Sequence, residues 1–74
     1  TPGEIFRRVR FTERDRHVLR GVFEGLANKE IAERLHVSES AIKASLQQLF
    51  SKTGVRTRGQ LVRIALEQFR RELL

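Results

Sequence analysis

The sequence predicts an all-α domain of four helices, and three observations carry that expectation. Apolar residues recur at helical spacing through most of the chain, the signature of helices packed along one face. Each periodic stretch begins after a Thr, Asn or Ser suited to capping, and ends at a glycine or a turn. No stretch reads as a strand.

Composition bounds what such a domain can be. Seventy-four residues make one small domain, and a chain of this size buries only about 60% of the surface exposed on unfolding. There is no cysteine, so disulfides and thiolate metal sites are excluded. That usage fits a reducing cytosol. No apolar run approaches the roughly 18 residues of a membrane span, and no signal-peptide core opens the chain. The expectation is a cytoplasmic protein without a membrane partner. Fifteen Lys and Arg against nine Asp and Glu leave a net charge of +6, with an isoelectric point near 11.3. An excess of that size points to a polyanion, and nucleic acid is the commonest one for a compact domain.

Residues 1–10 read as a linker from a missing N-terminal domain, with Pro2, Gly3 and the cluster Arg7, Arg8, Arg10. Ile5, Phe6 and Val9 suggest that part of it packs on the domain spanning 11–74. The first helix is expected over 13–24. Thr12 caps it and Asp15 completes a capping box, while Glu13 and Asp15 suit the positive end of the helix dipole. Val18, Leu19, Val22, Phe23 and Leu26 define its buried face, and Gly25 supplies a left-handed stop. Asn28 caps a second helix over 29–35 with Ile31, Ala32 and Leu35 inward. His36 and Val37 turn the chain. Ser38 caps a third helix over 39–53, which Gly54 ends, and Thr57 caps a fourth over 58–73. A short helix, a tight turn and a longer helix, braced by a preceding helix, is the helix-turn-helix layout. In that layout the second helix of the pair enters the DNA major groove.

The wheel of the third helix divides into two faces. Ile42, Ser45, Leu46, Leu49 and Thr53 form one stripe, which must face the core. Ser40, Lys43, Ala44, Gln47 and Ser51 lie opposite. Lys43 and Gln47 are one turn apart and project side by side. Lys can donate to guanine O6 and N7, Gln can pair with adenine N6 and N7, and Ala44 can touch a thymine methyl. The competing reading is an ordinary solvated face. Lys29, Lys52, Arg56 and Arg58 surround it and, with Ser40, are the candidate phosphate contacts that would hold a reading helix in register. Helix N-termini at Asn28 and Ser38 would add backbone amides to that task.

The stretch from Phe11 to Leu66 resembles the LuxR/NarL-type helix-turn-helix domain. Phe11-Thr12-Glu13-Arg14-Asp15 stands at the family's opening, followed by Val18-Leu19. Gly25-Leu26-Ala27-Asn28-Lys29-Glu30-Ile31-Ala32-Glu33-Arg34-Leu35 is similar to its most diagnostic block, and Val37 to Lys43 to the approach to its recognition helix. Lys52, Gly54, Val55, Arg58 and Leu61 are similar to its closing pattern. The resemblance implies a four-helix domain that binds double-stranded DNA as a homodimer, with base-reading positions at Lys43, Ala44 and Gln47. The wheel reaches the same three. It also implies dimerisation through the last helix, where Val62, Leu66 and Phe69 are the candidate contacts. That helix carries a wide apolar arc of Leu61, Val62, Ile64, Ala65, Leu66, Phe69 and Leu73, with Arg63, Arg70 and Arg71 to solvent. In resembling proteins the missing domain is a phosphorylatable receiver, as in two-component response regulators, or a ligand-binding module. RNA polymerase is a further candidate partner.

Three positions depart from the family pattern: Ala41 stands where Thr is usual, Ser45 where His is common, and Thr53 where an apolar residue is expected. They leave open an alternative, a degenerate helix-turn-helix used as a protein-interaction module through its fourth helix. RNA binding lacks exposed aromatics for stacking, since the Phe residues mostly hold core-like positions. An enzyme is not expected. His17 and His36 lack further ligands for a metal, Glu30 and Glu33 read as an exposed helix face, and no phosphate loop or nucleophile elbow is present. No cofactor is expected.

Overall fold

The structure, a computed structural model, describes residues 10–73. It contains four helices, α1 (Glu13–Phe23), α2 (Asn28–Leu35), α3 (Glu39–Thr53) and α4 (Arg58–Leu73), with no strand among the described residues. The linker expected at 1–10, and the packing expected of Ile5, Phe6 and Val9, lie outside the described residues apart from the exposed Arg10.

Local chemistry sets each helix end. At α1 the Thr12 hydroxyl accepts from the Asp15 amide at 3.0 Å, while the Asp15 carboxylate accepts from the Thr12 amide at 2.9 Å. Two amides that helix geometry leaves unpaired are thereby satisfied. Gly25, at φ 79°, reverses the chain in a Schellman motif. Its amide donates to Val22 O at 3.1 Å and that of Leu26 to Gly21 O at 3.0 Å. His36 does the same for α2 at φ 57°, with the amides of His36 and Val37 donating to Glu33 and Ala32 carbonyls. Ser38 caps α3 by accepting from the Ala41 amide at 3.1 Å, and Gly54 ends it at φ 73°. Thr57 caps α4 as expected, in a box with Gln60, whose side-chain oxygen accepts from the amides of Arg56 and Thr57.

The start of α2 differs from the sequence expectation. Asn28 is the first helical residue, and the capping position belongs to Ala27. Ala offers no acceptor, so only the reciprocal half of a box exists, the Ala27 amide donating to Glu30 Oε1 at 2.9 Å. The Asn28 side chain instead accepts from Arg58 at 2.8 Å.

The core takes residues from every helix: Val18, Leu19 and Val22 of α1, Ile31 and Ala32 of α2, Ile42, Leu46 and Leu49 of α3, and Leu61, Ile64 and Ala65 of α4. Burying each large aliphatic side chain contributes about 1.5–3 kcal/mol, against the entropy of ordering the chain. α1 packs along α4 on one side and reaches α3 and α2 on the other, while α2 and α3 pack on each other. Phe23, expected in the core, is 44% exposed. Leu26, folded back through the Schellman motif, is partly buried against the core. Phe23 is left on the flank, its ring edge-on to Phe69 with centroids 5.5 Å apart. Phe11, Phe50 and Phe69 are half-buried, so no described Phe is fully enclosed.

Candidate nucleic-acid interface

α3 presents the two faces that its sequence spells out. Ile42, Ser45, Leu46, Leu49 and Thr53 are all buried, and Ser40, Lys43, Ala44, Gln47 and Ser51 are all exposed. The Thr53 hydroxyl donates to Leu49 O at 2.7 Å, which accounts for a polar side chain in the apolar stripe. Lys43 and Gln47, one turn apart, have side chains rooted about 5–6 Å from each other. Neither is engaged by another described residue, so both tips are available to a ligand.

The candidate phosphate contacts divide into two groups. Lys29, Ser40 and Arg56 are exposed, and the cations of Lys29 and Arg56 form no ion pair among the described residues. Arg58 is exposed but engaged. Its guanidinium donates to Asn28 Oδ1 at 2.8 Å and to Leu26 O at 2.6 Å, tying the start of α4 to the loop before α2. Lys52 is also engaged: its ammonium lies 2.6 Å from the Asp15 carboxylate, which is almost fully buried. Sequence spacing could not reveal either link, because each joins residues thirty or more positions apart.

A shallow open groove runs beside the start of α2 and reaches Glu39 in the first turn of α3. Lys29, Asn28 and Arg58 line it, and so do Glu30 and Glu39. The first turns of α2 and α3 therefore border one groove. Its charge is mixed, with two carboxylates among the cations.

The candidate dimer contacts lie on the outer side of α4. Val62 and Phe69 are half-buried and Leu66 is 43% exposed. Phe23 extends this surface onto α1, and the Arg20 guanidinium stands 5.7 Å from the centre of the Phe69 ring. Below it, Glu24 pairs with Arg34 of α2 and, at 3.3 Å, with Arg20. The hydrogen bond from Arg34 holds the Glu24 carboxyl below its ordinary 4.5, and Arg20 acts in the same direction. His17 and His36 are not brought together. His17 faces Glu13 at 3.7 Å, while His36 sits in the tight turn.

A model of the family described as bacterial regulatory proteins of the luxR family matches residues 9–65. The chain belongs to that family. This luxR-family chain is a DNA-binding helix-turn-helix domain of a transcription regulator. It is 43% identical over 60 residues to a probable transcriptional regulator, ycf29, of Cyanophora paradoxa, covering 81% of this chain and 29% of that protein. It is also 43% identical over 67 residues to response regulator Rre1 of Synechocystis, covering 90% of this chain and 28% of that one. Nitrate/nitrite response regulator protein NarP of Escherichia coli is 39% identical over 57 residues, covering 77% and 26%. The chain thus spans less than a third of the length of these luxR-type relatives. No solved structure matches it significantly. No helix among the described residues is long and apolar enough to cross a membrane.

Proposed function

We propose that this domain reads double-stranded DNA by placing α3 in the major groove, with Lys43, Ala44 and Gln47 at the base edges. The observation that carries the reading is the exposed face of α3, where two unengaged polar tips flank a methyl directly opposite the buried stripe. Short side chains at Ser40 and Ser51 let the helix approach closely. Lys29, Ser40 and Arg56 contact phosphates and fix the register, as positioning contacts do in protein–DNA interfaces. Arg58 shapes the groove beside them.

The domain acts as a homodimer through Val62, Leu66 and Phe69, so that its site is two-fold with half-sites about one helical turn apart. In the longer protein it serves as the output domain of a cytoplasmic transcription regulator whose N-terminal domain receives the signal. RNA polymerase is the further partner of such an output.

Binding to a duplex carrying the preferred site, and to single-base variants of it, tests the assignment. Lys43→Ala is expected to cost about 1–3 kcal/mol and to relax preference at one base pair. Lys29→Ala is expected to weaken all duplexes alike and to lower the salt slope by about one. Identical behaviour of the two variants across sequences would sink the division of roles.

One observation favours a second reading. The exposed ring of Phe23, continuous with Phe69 and Leu66, gives the fourth-helix side an apolar surface independent of α3. Such a surface also suits a protein-interaction module, for which DNA binding would be absent even at low salt.

A further inference from the structure

The pairing of Lys52 with Asp15 joins the last turn of the reading helix to the first turn of α1. The same carboxylate oxygen accepts from the Thr12 amide at 2.9 Å and from the Lys52 ammonium at 2.6 Å. The Asp15 side chain is 4% exposed and that of Lys52 33%. A cation in the last turn also suits the negative end of the α3 dipole. The link is therefore built from both sides, and it occupies the charge that a phosphate would otherwise attract.

We propose that Asp15 and Lys52 are positioning residues for base reading, with Lys52 holding α3 rather than contacting phosphate. The proposal rests on the DNA-reading role assigned to α3. Its physical basis is directional. The apolar stripe from Ile42 to Thr53 decides which face of α3 is buried, but non-directional hydrophobic contact leaves the tilt of the helix over the core loosely set. An ion pair on the flank of the helix supplies the missing constraint. Lys43 lies ten residues from Thr53, about 15 Å along the axis at 1.5 Å per residue. A tilt of about 10° at the C-terminal end would displace Lys43 by roughly 3 Å. Hydrogen bonds to base edges tolerate a few tenths of an ångström, so discrimination is lost well before the fold is.

The test compares Lys52→Met, Asp15→Asn and the double variant with the parent domain. Each is titrated onto its selected duplex and onto a scrambled duplex across a salt series, with helicity and thermal unfolding followed alongside. Lys52→Met keeps the apolar stem, and Asp15→Asn keeps an acceptor for the Thr12 amide. The expected result is a loss of the selected-to-scrambled ratio of about ten-fold in either single variant, with no further loss in the double. Salt slopes should remain unchanged. The proposal is overturned if Lys52→Met weakens both duplexes equally and lowers the slope by about one while Asp15→Asn binds as well as the parent or better. That outcome makes Lys52 a phosphate contact. Should Asp15→Asn fail to fold, Lys52→Met alone decides, through its ratio and its slope. A parent domain that selects no sequence overturns the DNA-reading role itself, and the positioning role with it.

Discussion

At Gly21, α1 and α2 come so close that no side chain fits between them. A Cβ there would stand 2.6 Å from Ile31 Cγ1 and 3.0 Å from its Cδ1. Ile31 is fully buried, and Cγ1 is next to its backbone, so it has little freedom to withdraw. Ala would contribute roughly 1 kcal/mol of helix propensity, but overpacking a core costs about 1–3 kcal/mol. Gly21→Ala is therefore expected to lower the urea midpoint, and a raised midpoint would show that the two helices can separate freely. His36 presents the opposite case, a side chain where glycine fits better. Its φ of 57° lies in the left-handed region, where an L side chain is strained by about 1–2 kcal/mol. His36→Gly is expected to raise stability by about 0.5–1 kcal/mol after the greater freedom of the unfolded glycine is deducted. Equilibrium unfolding in urea checks this, with DNA affinity expected to be unchanged.

Between elements, the Glu24 network ties the end of α1 to α2. Its folded carboxyl titrates below the unfolded one, because the charged form is favoured by Arg34 and then Arg20. A depressed carboxyl contributes stability above its unfolded value, and the contribution disappears as pH falls through the folded one. Glu24→Gln is accordingly expected to flatten the decline of melting temperature below about pH 4.5. An acid limb identical to the parent's would assign the decline to other carboxylates. The helix boundaries were legible in the sequence because caps are local: Thr12 with Asp15, Ser38, Gly54 and Thr57 act within a turn of their positions. The two faces of α3 were legible for the same reason, since period alone separates them. What sequence spacing misplaced depends on distant partners. Asn28 looks like a cap, yet Arg58 takes its side chain and Ala27 holds the capping position. Lys52 looks like a free rim cation until Asp15, in another helix, is seen to hold it. Phe23 keeps a helical period with Leu19, yet its ring is exposed and meets Phe69 of α4, a distant partner that spacing does not reveal.

At the scale of the whole molecule, this basic domain has two surfaces to use. The α3 side carries the tips of Lys43 and Gln47 with the cations Lys29 and Arg56, none of them paired among the described residues. The α4 side carries Leu66 with the paired rings of Phe23 and Phe69. If the second surface joins two copies on DNA, Leu66→Glu is expected to convert cooperative occupation of a two-fold site into independent occupation of its halves. Sedimentation of the complex would show the change, and an unaltered two-copy complex would remove Leu66 from the interface. The first surface bears the central claim, that this domain recognises DNA sequence through α3. The most direct measurement is selection from a randomised duplex pool, at low and at near-physiological salt. The expected result is a two-fold motif enriched at both, with binding that weakens as salt rises. Absence of binding even at low salt would contradict the claim and leave the aromatic surface on α1 and α4 as the working face of the domain.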